Sequence, residues 1–181
     1  MTRVYVGGTF DLFHPGHVQL LRRASLLGEV WVALNSDAYA EELKGKRPVM
    51  TYGERATMLL ACEYVEMVLC NDGNERELFD YVKPRTLFYG NDGSWTRKKY
   101  LSLFGLTEAD LDRHGVELVF PPRTEGVSST DIIARISGRD RPDGVQAPEH
   151  VRSDAPCPCR RDKEAGRVLD GVRDGRGCPC S

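Results

Sequence analysis

A chain of 181 residues is long enough for one domain with a real core and little more. With 25 Lys and Arg against 27 Asp and Glu, the formal charge is −2, which gives no global pull toward nucleic acid or an anionic membrane. No apolar run approaches the roughly 20 residues of a membrane span, and residues 1–7 lead into strand-like sequence without a signal-peptide core, so the expected location is the cytosol, where disulfides are rare.

Residues 3–6 are a short β-rich run. Residues 16–27 carry Val18, Leu20, Leu21, Ala24 and Leu27 at helical spacing and stop at Gly28. Residues 30–34 have the composition of a buried strand, 35–43 that of a short helix, and Lys44-Gly45-Lys46-Arg47-Pro48 forms a basic loop. A helix over 53–63, a strand over 64–69, a helix over 75–82 stopped by Pro84, and a strand over 86–89 follow. A fifth strand covers 116–120, and a closing helix covers 128–136, where Ser128 and Asp131 have N-cap and N3 spacing. Strands separated by helices imply a Rossmann-like, doubly wound parallel sheet of five strands with helices on both faces, and ligands of such sheets sit at the carboxyl ends of the strands. Cys62 and Cys70, in apolar segments, read as small core residues. The domain is expected over 1–137; residues 138–181 are rich in Gly, Pro, Arg and Asp and read as a disordered tail. In that tail Cys157, Cys159, Cys178 and Cys180 form two Cys-Pro-Cys pairs; four thiolates suit zinc, but one intervening residue is shorter than the usual ligand spacing.

Two glycine-containing turns, each after a strand and opening a helix, stand out. The first is Gly8-Thr9-Phe10-Asp11-Leu12-Phe13-His14-Pro15-Gly16-His17, the second Arg123-Thr124-Glu125-Gly126-Val127-Ser128-Ser129-Thr130. Helix N-termini present unpaired N–H groups and partial positive charge, so two of them suggest a polyphosphate site. Pro15 suits a first helical turn, and from there His14 and His17 face one target from one side. Gly16 keeps the approach open, and Thr9 adds a hydroxyl and an N–H.

The first segment resembles the signature of the cytidylyltransferase family within the HxGH nucleotidyltransferases. The second resembles that family's second signature in the form seen in glycerol-3-phosphate cytidylyltransferases. The likeness covers about the first 137 residues. It implies transfer of CMP from CTP, with Mg2+, to a phosphorylated alcohol, glycerol 3-phosphate being the best acceptor. A phosphate monoester, with a second pKa of about 6, is already largely a dianion and needs no general base. The resemblance implies His14 and His17 as donors to the α-phosphate and leaving oxygen, Arg123 as a clamp, and Ser128, Ser129 and Thr130 around the β- and γ-phosphates. Thr9, Phe10, Asp11, Gly16, Thr124 and Gly126 fall within the signatures and are taken as substrate-binding. Asp11 either holds the histidine turn or reaches Mg2+ through water. Lys44, as a catalytic group, and Lys46 belong to a loop that closes over the phosphates in the family; a solvated charge run is the alternative. Arg55 matches another basic family position and is taken as substrate-binding, a surface helix charge being the alternative, and Asp92, also taken as substrate-binding, lies where the family places base and ribose contacts.

Two departures stand out. Relatives carry an Arg-Tyr-Val-Asp-like segment linked to dimer contacts and a functional arginine, and here it reads Glu63-Tyr64-Val65-Glu66, which puts both a homodimer and acceptor binding in question. The stretch 93–112 is longer than in compact members. The rival readings are an adenylyltransferase using ATP with a sugar phosphate or FMN, and a non-catalytic nucleotide-binding module.

Overall fold

The strands alternate their burial with period two, and that alternation builds the core. In the computed structural model, which describes residues 2–90, 96–122, 124 and 126–138, β1 is Arg3–Gly8 and β2 is Glu29–Asn35. Val4, Val6, Val30, Val32 and Leu34 point to one face, Tyr5 and Ala33 to the other. Between them runs α1, Pro15–Ser25, and after β2 come α2, Asp37–Lys44, and α3, Tyr52–Leu60. β3 (Met67–Asn71), α4 (Glu75–Val82) and β4 (Thr86–Phe88) follow, then α5 (Arg97–Leu103), α6 (Glu108–His114), β5 (Glu117–Val119) and α7 (Ser129–Ile136). The sheet is parallel throughout in the order β3-β2-β1-β4-β5. Its strand order reverses between β1 and β4, so the ligand crevice belongs at the carboxyl end of β1.

Each face has its own apolar cluster. Leu21 and Ala24 of α1 and Leu59 of α3 pack on the valine face. Leu78, Phe79 and Val82 of α4, with Tyr100, Leu101, Phe104 and Leu111, cover the other. The expected doubly wound architecture is therefore the observed one.

Three local readings differ. The stretch 96–115, assigned no element from sequence, holds α5 and α6. Each is capped by a threonine, Thr96 on the Lys99 N–H and Thr107 on the Asp110 N–H, and each is too short to show a helical period. The third strand begins at Met67 rather than Tyr64, because a turn closed by Cys62 N–H to Leu59 O and Val65 N–H to Cys62 O occupies the residues after α3. Cys70 is exposed, not a core residue, because β3 is an edge strand; Cys62 is half-buried.

Among the described residues no helix is long and apolar enough to cross a membrane. The reading of 138–181 and its four cysteines falls, from residue 139 on, outside the described residues. Truncation after Ser137 is expected to leave a folded, active domain, since α7 ends at Ile136 and both apolar clusters precede it. Thermal unfolding and activity of the truncated chain test this; a lowered midpoint or lost activity would show that the tail packs on the domain.

Candidate active site

The chain leaves β1 through a constrained turn. Phe10 and Leu12 adopt φ of 51° and 50°, a left-handed conformation that non-glycine residues hold only when their surroundings enforce it. Three contacts do so. Arg55 Nη1 donates to Thr9 O at 2.6 Å, the Asp11 carboxylate accepts the Val49 and Met50 N–H groups at 2.9 Å each, and Ser129 Oγ donates to Asp11 O at 2.7 Å. The last bond ties the first signature to the second across 118 residues. The Phe10 side chain is buried in the valine-face cluster, lines the cavity, and has its ring centroid 5.0 Å from that of His17.

The turn delivers His14 as the N-cap of α1 and His17 three residues on. Their rings stack, with centroids 3.7 Å apart and planes 20° from parallel. A β-carbon on Gly16 would lie 3.0 Å from the His14 ring and 3.3 Å from Val127, so this glycine permits both the ring's position and the approach of the second signature. His17 Nδ1 accepts the His14 N–H at 3.4 Å, which leaves the ring proton on Nε2. Burial, then His14, then Lys44, push the His17 pKa down to about 3. His17 is therefore a neutral hydrogen-bond donor at working pH, and Lys44 at the end of α2 is close enough to act on it. The unfolded chain binds a proton near pH 6.5, while the folded state keeps His17 neutral down to about 3. Between those values the unfolded state holds the extra proton, so stability should fall as pH drops below 6.5. Urea unfolding at pH 7 and pH 5 should show a larger loss in the wild type than in His17→Gln; equal losses would mean that His17 titrates normally.

The second signature meets this turn across a shared cavity of about 670 Å³, within the range of small-ligand sites. Thr124, Ser128, Ser129 and Thr130 line it together with His14 and His17. Two of the expected phosphate ligands have their hydroxyls engaged. Ser128 Oγ accepts the Asp131 N–H at 3.1 Å and donates to its carboxylate at 2.6 Å, capping α7, and Ser129 Oγ holds Asp11. What these residues turn toward the cavity is the amino end of α7. Gly126, at φ 74°, acts as the bend into that helix. Arg123 and Asp92 lie outside the described residues.

The basic loop returns over the same cavity, which Lys44, Lys46 and Arg47 line. Gly45 takes φ 67° as the C-cap of α2, a conformation that suits glycine and lets the chain reverse between the two lysines. Arg55 is a correction. It is fully buried, and besides Thr9 O it donates to Met50 O at 3.1 Å, Asn35 O at 2.9 Å and the Asp37 carboxylate at 2.6 Å. With its fork committed to protein oxygens it braces the turn and the basic loop instead of meeting a substrate. That ion pair also holds the Asp37 pKa below the ordinary carboxylate value, against the opposing effect of burial. Asp11 likewise uses both carboxylate oxygens on the loop's exit, which ties the histidine turn to that loop.

Sequence reasoning missed one part of the wall. Asn35, Asn71 and Glu75, at the carboxyl ends of β2 and β3 and the start of α4, line the same cavity. They sit in no signature, and only the register that pairs Asn35 with Asn71 brings them together.

Residues 5–135 match the family model described as cytidylyltransferase-like. The chain is 32% identical over 141 residues to a glycerol-3-phosphate cytidylyltransferase of Staphylococcus aureus, an alignment covering 77% of this chain and 98% of that protein. It is 36% identical over 140 residues to the bifunctional protein HldE of Campylobacter fetus, covering 76% of this chain but only 28% of that protein's length. In fold it is similar to the crystal structure of a lipopolysaccharide core biosynthesis protein from Thermoplasma volcanium, with a TM-score of 0.58 and 25% identity, covering 69% of this chain and 99% of the other. A pantothenate synthetase from Thermus thermophilus shares the fold alone, with a TM-score of 0.51 and 16% identity over 77% of this chain and 64% of its own. Two signatures on one parallel sheet, joined by the Ser129–Asp11 bond and matched by the family model over most of the domain, place the chain in the cytidylyltransferase-like family of nucleotidyltransferases.

Proposed function

We propose that the protein transfers CMP from CTP to a small phosphorylated alcohol, with glycerol 3-phosphate the best single acceptor. A phosphate oxygen of the acceptor attacks the α-phosphorus, the bond to the β-phosphate oxygen breaks, and pyrophosphate leaves with its electron pair, giving a CDP-alcohol. The observation that carries this reading is the convergence of the stacked His14–His17 pair, Lys44 and the amino end of α7 on one cavity. Such a site is built to position phosphates and stabilise their charge, which is what this reaction requires. The neutral His17 donates from Nε2, Lys44 adds a positive charge beside it, and the Asp11–Ser129 bond holds the two helix ends in register. CTP over ATP is supported by the form of the second signature and by the Staphylococcus aureus relative, whose length this chain covers almost completely.

Mg2+ is the expected companion of the triphosphate. Among the described residues no group of three His, Cys, Asp or Glu side chains forms a ligand set, and the Asp11 carboxylate is already held by two amides. The fit to a protein-held ion is therefore poor, and no step is assigned to one.

The test is pyrophosphate release with CTP or ATP across phosphorylated alcohols and sugars. CTP should exceed ATP in kcat/KM by about 100-fold or more, because a site that hydrogen-bonds one base leaves polar groups unpaired with the other. A preference for ATP would replace this reading with an adenylyltransferase, and no release with either would make the domain a binding module.

A further inference from the structure

Beyond the histidines, the cavity reaches the carboxyl ends of β2 and β3, where its wall is a row of buried polar side chains, all but Thr9 outside the two signatures. Thr9, Asn35, Asn71 and Glu75 are each 6% exposed or less, and all line the cavity. Asn35 Nδ2 donates to Thr9 Oγ1 at 3.4 Å. Asn71 Nδ2 donates to Asn35 Oδ1 at 2.9 Å and to Glu75 Oε1 at 3.2 Å, and the Tyr39 hydroxyl also donates to Glu75 Oε1. Among the described residues both hydrogen bonds to this carboxylate land on Oε1 and none on Oε2, and no ion pair involves Glu75.

A buried carboxylate with no cation beside it is unfavourable as a packing element, where an apolar side chain serves better. On a cavity wall it is an acceptor ready for a ligand. The row presents mixed chemistry: the Thr9 hydroxyl, the second Nδ2 hydrogen of Asn35, and Oε2 of Glu75. A hydroxyl group donates and accepts, and so satisfies all three; an ammonium group would pair with Glu75 but leave the Asn35 N–H without an acceptor, and a second anion on the ligand would be repelled by Glu75. Lys44, Lys46 and Arg47 line the same cavity and suit the phosphate, so the buried polar row is left for the rest of the acceptor.

We propose that Glu75, with Asn35 and Thr9, binds the hydroxyl groups of the acceptor, which makes the acceptor a phosphorylated polyol and not an alkyl phosphate or a phosphorylated amine. This rests on the acceptor being a phosphate monoester, as argued above.

The experiment compares ethyl phosphate, glycerol 3-phosphate and phosphoethanolamine by pyrophosphate release and by calorimetric binding, with wild type, Glu75→Gln and Tyr39→Phe. Glycerol 3-phosphate should exceed ethyl phosphate by roughly 10–100-fold in both readouts, the range for a hydrogen bond to a charged group. Glu75→Gln should shrink that gap by about 10-fold while leaving the nucleotide KM unchanged. Tyr39→Phe, which removes one anchor of the carboxylate, should narrow the gap in the same direction and decides the matter if Glu75→Gln fails to fold. Equal use of ethyl phosphate, preference for phosphoethanolamine, or an unchanged gap in a folded variant overturns the proposal. If no nucleotide supports turnover, the reaction itself fails as a reading, and the calorimetric ranking still decides the subsite.

Discussion

His14→Ala and His17→Ala are each expected to lower kcat by about 10²–10³-fold, the usual loss when one preorganised donor to a developing phosphate charge is removed. Both rings line the cavity beside the amino end of α7, and each reaches it from the first turn of α1. The two substitutions should not be additive, because the rings stack at 3.7 Å and His17 accepts the His14 N–H. The double variant should then be little slower than the worse single one. Steady-state kinetics, with circular dichroism to confirm the fold, measures this. Near-normal turnover in either single variant would remove the histidines from the chemistry.

Arg55→Met should destabilise the domain by about 2–4 kcal/mol, since a buried acceptor left without its donor costs about 1–3 kcal/mol. The substitution leaves the carbonyls of Thr9, Asn35 and Met50 without this donor and removes the partner of Asp37, whose side chain is 20% exposed and keeps access to water. Arg55→Lys keeps the charge but not the planar fork, and should recover only part of the loss. Because Thr9 O is one of the acceptors, activity should fall with stability as the turn after β1 loosens. Urea unfolding read beside the nucleotide KM separates the alternatives. A variant of unchanged stability but raised KM would return Arg55 to the role of a substrate ligand, the role its basic character suggests in sequence.

Much of the site was legible before any tertiary structure. The order of strands and helices follows from hydrophobic periodicity, which reports local burial, and both signatures are contiguous, so their chemistry can be read along the chain. His14 and His17 needed only one turn of helix to come together, and Lys44 to Lys46 only one glycine to reverse. The placement of these groups on the carboxyl side of a parallel sheet followed from the alternation of elements.

What depended on distant partners was not legible. Arg55 and a substrate-binding arginine look identical in sequence; its role was decided by three backbone carbonyls and a carboxylate from four separate positions closing around it. Ser128 and Ser129 looked like equivalent phosphate ligands until the fold turned one into a helix cap and the other into the link to Asp11. The polar row that Asn35, Asn71 and Glu75 form beside Thr9 has no motif, because strand register and not chain order assembles it. By itself the sequence determined the fold class and, through two contiguous signatures, the family, since each is encoded in local pattern along the chain. Only the tertiary structure decided which polar side chains face the cavity and which hold the frame, since hydrogen-bonding groups are assigned by the neighbours that packing brings to them.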